Sequence, residues 1–163
     1  MEIQQNQKTR PTLLTVIGIL SFIGLGYRIL TGLINAALGS ATSSFVPFLN
    51  DIFENEVDLS EVPESLHGFI ESIFDAVTKL LSNVTSIYLT IVLLSVIALL
   101  GVIMMWQLRK SGFYVYAAAR SLIAFVPFIF IGYNLISLIW FVSSIVFGIL
   151  FIILYSLNLK EMS

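Results

Sequence analysis

The stretch "FYVYAAARSLIAFVPFIFIGYNLISLIWFVSSIVFGILFIILYSL", residues 113–157, contains one charged residue, Arg120. As one straight helix it would reach about 68 Å at 1.5 Å per residue, more than twice the roughly 30 Å of a hydrocarbon layer. The run therefore has to fold back. Ile131-Gly132-Tyr133-Asn134 supplies the break. Glycine frees the backbone, tyrosine suits a membrane–water boundary and asparagine favours turns. Two spans result, 113–133 and 135–157, and Pro127 is expected to kink the first.

Working outward, residues 87–108 hold no charge, and residues 12–34 hold only Arg28. Pro11 suits the first turn of a helix, where a missing N–H costs nothing. The expected fold is all-α: one membrane domain over 1–163, with four transmembrane helices at 12–34, 87–108, 113–133 and 135–157. An extracytoplasmic segment, 39–86, contains a further amphipathic helix. Composition agrees. The chain is 58% hydrophobic and 11% charged, against roughly 25% charged in a soluble domain. A water-soluble core of this size cannot hide that apolar surface. The apolar run of the first span is too long for a signal peptide, so it is expected to be retained.

Several function classes are excluded. A net charge of -2 argues against a nucleic-acid footprint. The absence of cysteine removes disulfides, thiolate metal sites and cysteine catalysis. There is no G-x-S-x-G, no H-E-x-x-H and no Walker A loop. The acidic run "DIFENEVD" (51–58) lacks the glycine and ligand order of an EF-hand. Asn83-Val84-Thr85 matches a glycosylation acceptor but lies too close to the second span. No cofactor is expected.

Orientation follows from lysine and arginine near the span ends. With four spans, Lys8, Arg10, Arg109, Lys110 and Lys160 fall on one side. The other side carries Lys79, together with Asp51, Glu54, Glu56, Asp58, Glu61, Glu64, Glu71 and Asp75. Both termini are therefore expected in the cytoplasm. Aromatic residues mark the boundaries: Trp106, Tyr114, Tyr116 and Tyr155 at the inner ends, and Tyr27, Tyr88, Tyr133 and Trp140 at the outer ends.

Residues 40–63 read as polar and turn-rich. From Leu66 the pattern changes: Leu66, Phe69, Ile70, Ile73, Phe74, Val77, Leu80 and Leu81 recur at helical spacing. Glu64, His67, Glu71 and Asp75 occupy the opposite face and form a candidate partner-docking surface. The plainer reading packs this helix on the top of its own bundle with its acidic face in water. Its acidity argues against tight binding to an anionic bilayer. His67 with Glu64 and Glu71 has the spacing of a metal-site corner but lacks a fourth ligand, so no metal site is expected.

Arg28 and Arg120 are the candidate ligand-binding residues. A mid-membrane arginine costs about 2.5–3.5 kcal/mol on insertion scales, and the surrounding apolar residues, at about 0.3–0.6 kcal/mol each, outweigh it. Arg120 lies about 10 Å beyond Phe113. One reading lets it snorkel to the inner headgroups, with Tyr116 one turn away receiving the guanidinium. The other turns it toward an internal polar cavity or an anionic headgroup. Arg28, about 26 Å beyond Pro11, is expected near the outer boundary with its side chain leaning inward. It shares a face with Gly24, Gly32, Ala36 and Ser40, spacing that allows close helix approach. Ala117/Ser121/Ala124 and Ser144/Gly148 form similar faces.

"RPTLLTVIGILSFIG" (10–24) and "MWQLRKSGFYVYAAAR" (105–120) resemble stretches of small four-span membrane proteins of Bacteroidetes-type bacteria. The resemblance covers about a third of the chain and implies a bacterial inner (plasma) membrane location without implying an activity. Arg120 departs from it: an amide residue often stands there. Read from its residues, the second stretch is a cytoplasmic hinge with aromatics at the headgroups, cations at the phosphates and Gly112 for the turn. Negligible cytoplasmic mass and the lack of a catalytic constellation favour a non-enzymatic accessory or interaction subunit using its acidic outer segment. The alternative is a small oligomeric transporter or channel handling an anion or lipid. The expected partners are the lipid bilayer and a second copy or another membrane protein, with no nucleic acid.

Overall fold

The computed structural model describes residues 11–55, 57 and 59–162, with the backbone alone at 61 and 161. Lys8, Arg10, Glu56 and Asp58, used in the charge argument, lie outside the described residues. The described residues form six α-helices and no strand. Four are long and apolar enough to cross a membrane: α1 (Thr12–Ser43), α4 (Val84–Trp106), α5 (Ser111–Phe130) and α6 (Leu135–Ser156). Between the first two of these stand α2 (Val46–Asn55) and α3 (Glu64–Ser82).

Two boundaries depart from the sequence reading. Helix α1 runs on past residue 34 to Ser43. Its polar residues there are satisfied locally: Asn35 Nδ2 donates to the Thr31 carbonyl at 2.8 Å and Thr42 Oγ1 to that of Leu38 at 3.0 Å. Thr85 Oγ1 donates to the Ala36 carbonyl at 3.1 Å and ties this extension to α4. Helix α2 occupies part of the stretch read as turns. Its start carries a usable signal, Pro47 in the first turn followed by Phe48, Leu49, Ile52 and Phe53 at helical spacing.

The α5–α6 break forms where expected. Gly132 takes φ +87°, open to glycine at little cost. Asn134 caps α6, its Oδ1 accepting from Ser137 N at 2.9 Å while Nδ2 donates to the Ile131 carbonyl at 3.1 Å. The α4–α5 hinge differs. Its left-handed residue is Leu108, φ 62°, while Gly112 already lies inside α5. Gly112 serves packing instead of the turn: a Cβ there would stand 2.5 Å from the Gly101 carbonyl oxygen.

The long helices pack in sequence, α1 on α4, α4 on α5 and α5 on α6, and α6 returns to meet α1 over far less of its length. The α1–α4 pair is antiparallel and in register: Gly18 meets Trp106, Gly32 meets Val92 and Gly39 meets Thr85. Small residues at these points bring the helices close, as in other apolar-layer packings. At the end carrying the α4–α5 hinge, Leu14, Ile17, Met105, Tyr116, Tyr155 and Met162 form one buried cluster. Tyr116 and Tyr155 stand at this end as buried residues, their rings packed edge to face at 5.1 Å.

At the opposite end α3 packs across the bundle. Ala76 is fully buried with Ile87, Ile91, Val126 and Ile131, and Leu80 and Trp140 pack beside them. This is the plainer arrangement anticipated for the amphipathic helix. Phe53 of α2 stacks on Phe74 of α3 at 3.9 Å. The remainder of the α3 stripe is less covered than its spacing implied, since Leu66 and Phe69 are exposed.

Candidate functional site

The register of α1 on α4 sets the depth of Arg28. Counting between the Gly18–Trp106 and Gly32–Val92 contacts, Arg28 is level with Val96, near the middle of α4. It stands at the middle of the helix pair and not near its end, because α1 continues well past it to Ser43. The α4–α5 contacts do the same for Arg120. Gly101 meets Tyr116 and Gly112 meets Met105, which puts Arg120 level with Ile97. The two arginines, far apart in sequence, therefore stand at one height on either side of α4.

They also face one space. A cavity of about 210 Å³ is lined by Ser21, Gly24 and Arg28 of α1, Tyr116 and Arg120 of α5, and Phe147 and Phe151 of α6. A second cavity, about 300 Å³, continues toward the α3 end past Tyr27, Arg28, Thr31, Tyr88 and Trp140. Arg28 and Gly24 belong to both. Gly24 keeps the junction open: a Cβ there would meet nothing within 4 Å.

Arg120 lines the cavity between α1, α5 and α6. Tyr116, its expected aromatic receiver, is itself buried, 2% exposed. The Arg120 Nε is shielded and has no hydrogen-bond partner. Among the described residues, neither guanidinium makes an ion pair or a hydrogen bond; the ion pair present there joins Lys79 and Asp75 at 2.8 Å. Two guanidinium charges lining one cavity repel one another. In a low-dielectric setting such repulsion is larger than in water and is relieved by a bound anion.

Below the arginines the space ends in a hydrogen-bonded floor. Tyr155 donates its hydroxyl proton to Ser21 Oγ at 2.8 Å, with the Ile17 carbonyl oxygen 3.4 Å away. These contacts hold α6 to α1 at the hinge end.

Ser21, Thr31, Tyr88 and Trp140 were not singled out from the sequence as site residues. A signal existed for part of the site: Ser21, Arg28, Thr31 and Asn35 repeat along one face of an otherwise apolar helix. Nothing comparable marks Tyr88 or Trp140, which α4 and α6 bring to the cavity.

The proposed docking residues lie elsewhere. Glu64, Glu71 and Asp75 are exposed on α3, and Lys79 engages Asp75. His67 is half-buried, its Nε2 2.8 Å from the Val62 carbonyl oxygen. Among the described residues, no group of three or more His, Asp or Glu side chains is placed to hold a metal. Compared with known proteins, the chain matches no family model, no curated protein and no solved structure.

Proposed function

We propose that this chain is a non-enzymatic, multi-pass protein of a cell's inner membrane that holds an anionic group between Arg28 and Arg120, in the service of moving or presenting an anion or lipid. One observation carries the reading: two arginines at the same depth line one cavity, with no carboxylate beside them among the described residues. Each costs about 2.5–3.5 kcal/mol at mid-membrane on insertion scales. An oxyanion accepts charge-assisted hydrogen bonds from guanidinium and offsets that cost.

The test is thermal unfolding of the purified protein in a zwitterionic detergent. Inorganic phosphate, sulfate or phosphatidylglycerol should raise the unfolding temperature by several degrees at saturation, since a ligand that binds only the folded state stabilises it. Arg28→Gln/Arg120→Gln should abolish the response. No shift with any of the three in the native sequence would refute the reading.

Both termini are cytoplasmic in this proposal. Arg109, Lys110 and Lys160 support it, because the hinge end carries them and the segment holding α2 and α3 carries most of the carboxylates. The chain has no cysteine, so introduced thiols report without background. His67→Cys should react with an impermeant maleimide in intact cells, and Lys110→Cys only after permeabilisation. The reverse pattern would overturn the orientation.

A second reading, an accessory subunit that docks through its outer segment, is favoured by a wholly apolar groove between α2 and α3. Leu49, Phe53, Val57, Ile70 and Phe74 are among its lining residues, and α3 also exposes Glu64, Glu71 and Asp75. Isolation from native membranes should then recover one constant partner. Repeated recovery of the protein alone would count against this reading.

A further inference from the structure

We infer that the group held by Arg28 and Arg120 is the headgroup of an anionic amphiphile that enters sideways from the bilayer, through the gap between α1 and α6. The inference rests on the anion-binding reading above and names the ligand class and its route.

The walls of the site decide the route. At the hinge end the way in is closed by the buried cluster of Leu14, Ile17, Met105 and Met162 and by the Tyr155–Ser21 hydrogen bond. At the other end, α3 presses Ala76 and Leu80 onto Ile87, Ile131 and Trp140. A hydrated anion meets packed apolar side chains from either aqueous face. The flank is different. α1 and α6 touch sparsely, and residues that line the cavities also form the outer surface: Tyr27 is 70% exposed, Phe147 63% and Leu20 54%. A cavity whose walls double as the lipid-facing surface opens into lipid.

The lining suits a molecule with a charged head and an apolar body. Arg28, Arg120, Tyr116, Ser21, Thr31 and Tyr88 form the inner, polar side. Leu20, Phe147 and Phe151 form the apolar side at the gap. A phosphate or carboxylate bound by the guanidiniums would leave its acyl chain against these rings and still within the layer. A small inorganic anion satisfies the arginines equally well but leaves that apolar side unused.

Trp140 lines the outer cavity, and the chain has two tryptophans, the other being Trp106. In a Trp106→Phe protein reconstituted into phosphatidylcholine bilayers, Trp140 fluorescence reports on lipid at the site. Phosphatidylglycerol brominated on its acyl chains should quench it several-fold more per mole than equally brominated phosphatidylcholine. The preference should vanish in Arg28→Gln/Arg120→Gln. It should also vanish in Gly24→Leu, where the new side chain enters open space at the junction of the cavities and leaves both arginines in place.

Equal quenching by the two lipids, with phosphate or sulfate still raising the unfolding temperature, would identify a free anion: the amphiphile inference falls and the anion reading stands. Equal quenching with no stabilisation by phosphate, sulfate or phosphatidylglycerol removes both. A preference that survives both Gly24→Leu and the arginine replacements places the lipid elsewhere and overturns the inference.

Discussion

Arg28→Gln/Arg120→Gln is expected to make the ligand-free protein more stable while removing its response to anions. Most substitutions of inward-facing residues destabilise, so the sign is the informative part. Each guanidinium is half-buried at the middle of the bundle, in the proposed reading far from both aqueous faces, and no ion pair among the described residues compensates it. Both also line one cavity, so their charges repel. Glutamine keeps hydrogen-bonding capacity and removes the charge. The expected gain is about 1–3 kcal/mol, below the summed insertion penalties because both side chains retain some exposure. The single variants should add up to more than the double, since either replacement alone abolishes the mutual repulsion. Unfolding of delipidated protein in detergent measures this. A double variant less stable than the native protein would mean that the arginines hold the fold together, and the anion reading would fall with that result.

Gly112→Val is expected to have the largest destabilising effect. Gly101 and Gly112 let α4 and α5 touch backbone to backbone. A Cβ on Gly112 would stand 2.5 Å from the Gly101 carbonyl oxygen and 2.7 Å from Met105 N, and one on Gly101 would stand 2.7 Å from Tyr116 N. A flexible side chain can move aside, but a helix backbone cannot without shifting its whole element. Overpacking typically costs about 1–3 kcal/mol, and a clash with backbone belongs at or above the top of that range. Water does not drive helices together inside an apolar layer, so a lost close contact is not replaced by hydrophobic burial. The variant should give little folded protein and, where it folds, a reduced anion response, because α5 carries Arg120. Gly148→Ala is the control, since a Cβ there meets nothing within 4 Å. Equal stability of the two variants would contradict the close approach.

The helices were largely legible in advance and the site only in part. Gly132 and Asn134 announced the α5–α6 break because their turn and capping preferences are properties of the residues themselves. The α3 stripe was readable because apolar and acidic residues alternate there at helical spacing. Arg28 and Arg120 stood out as charges in apolar runs, but their meeting did not. Tyr116 shows why: one turn from Arg120, its place near a span end suits a boundary aromatic, while its burial depends on α6 placing Tyr155 against it. Gly112 was read as a turn residue, although the chain turns at Leu108 and the glycine serves a neighbour eleven residues earlier in sequence.

The sequence by itself determined how many apolar helices there are, where the last two separate, and which face of α3 is wet. These are sums over adjacent residues, and hydropathy and turn preference are local. Only the tertiary structure decided the level of Arg28 along α4 and its shared cavity with Arg120. A span such as α4 is apolar on every side, so periodicity cannot tell which face meets a neighbour. That choice belongs to the small residues, Gly18, Gly32 and Gly39 on one helix pair and Gly101 and Gly112 on the next, where contact between whole helices sets the register.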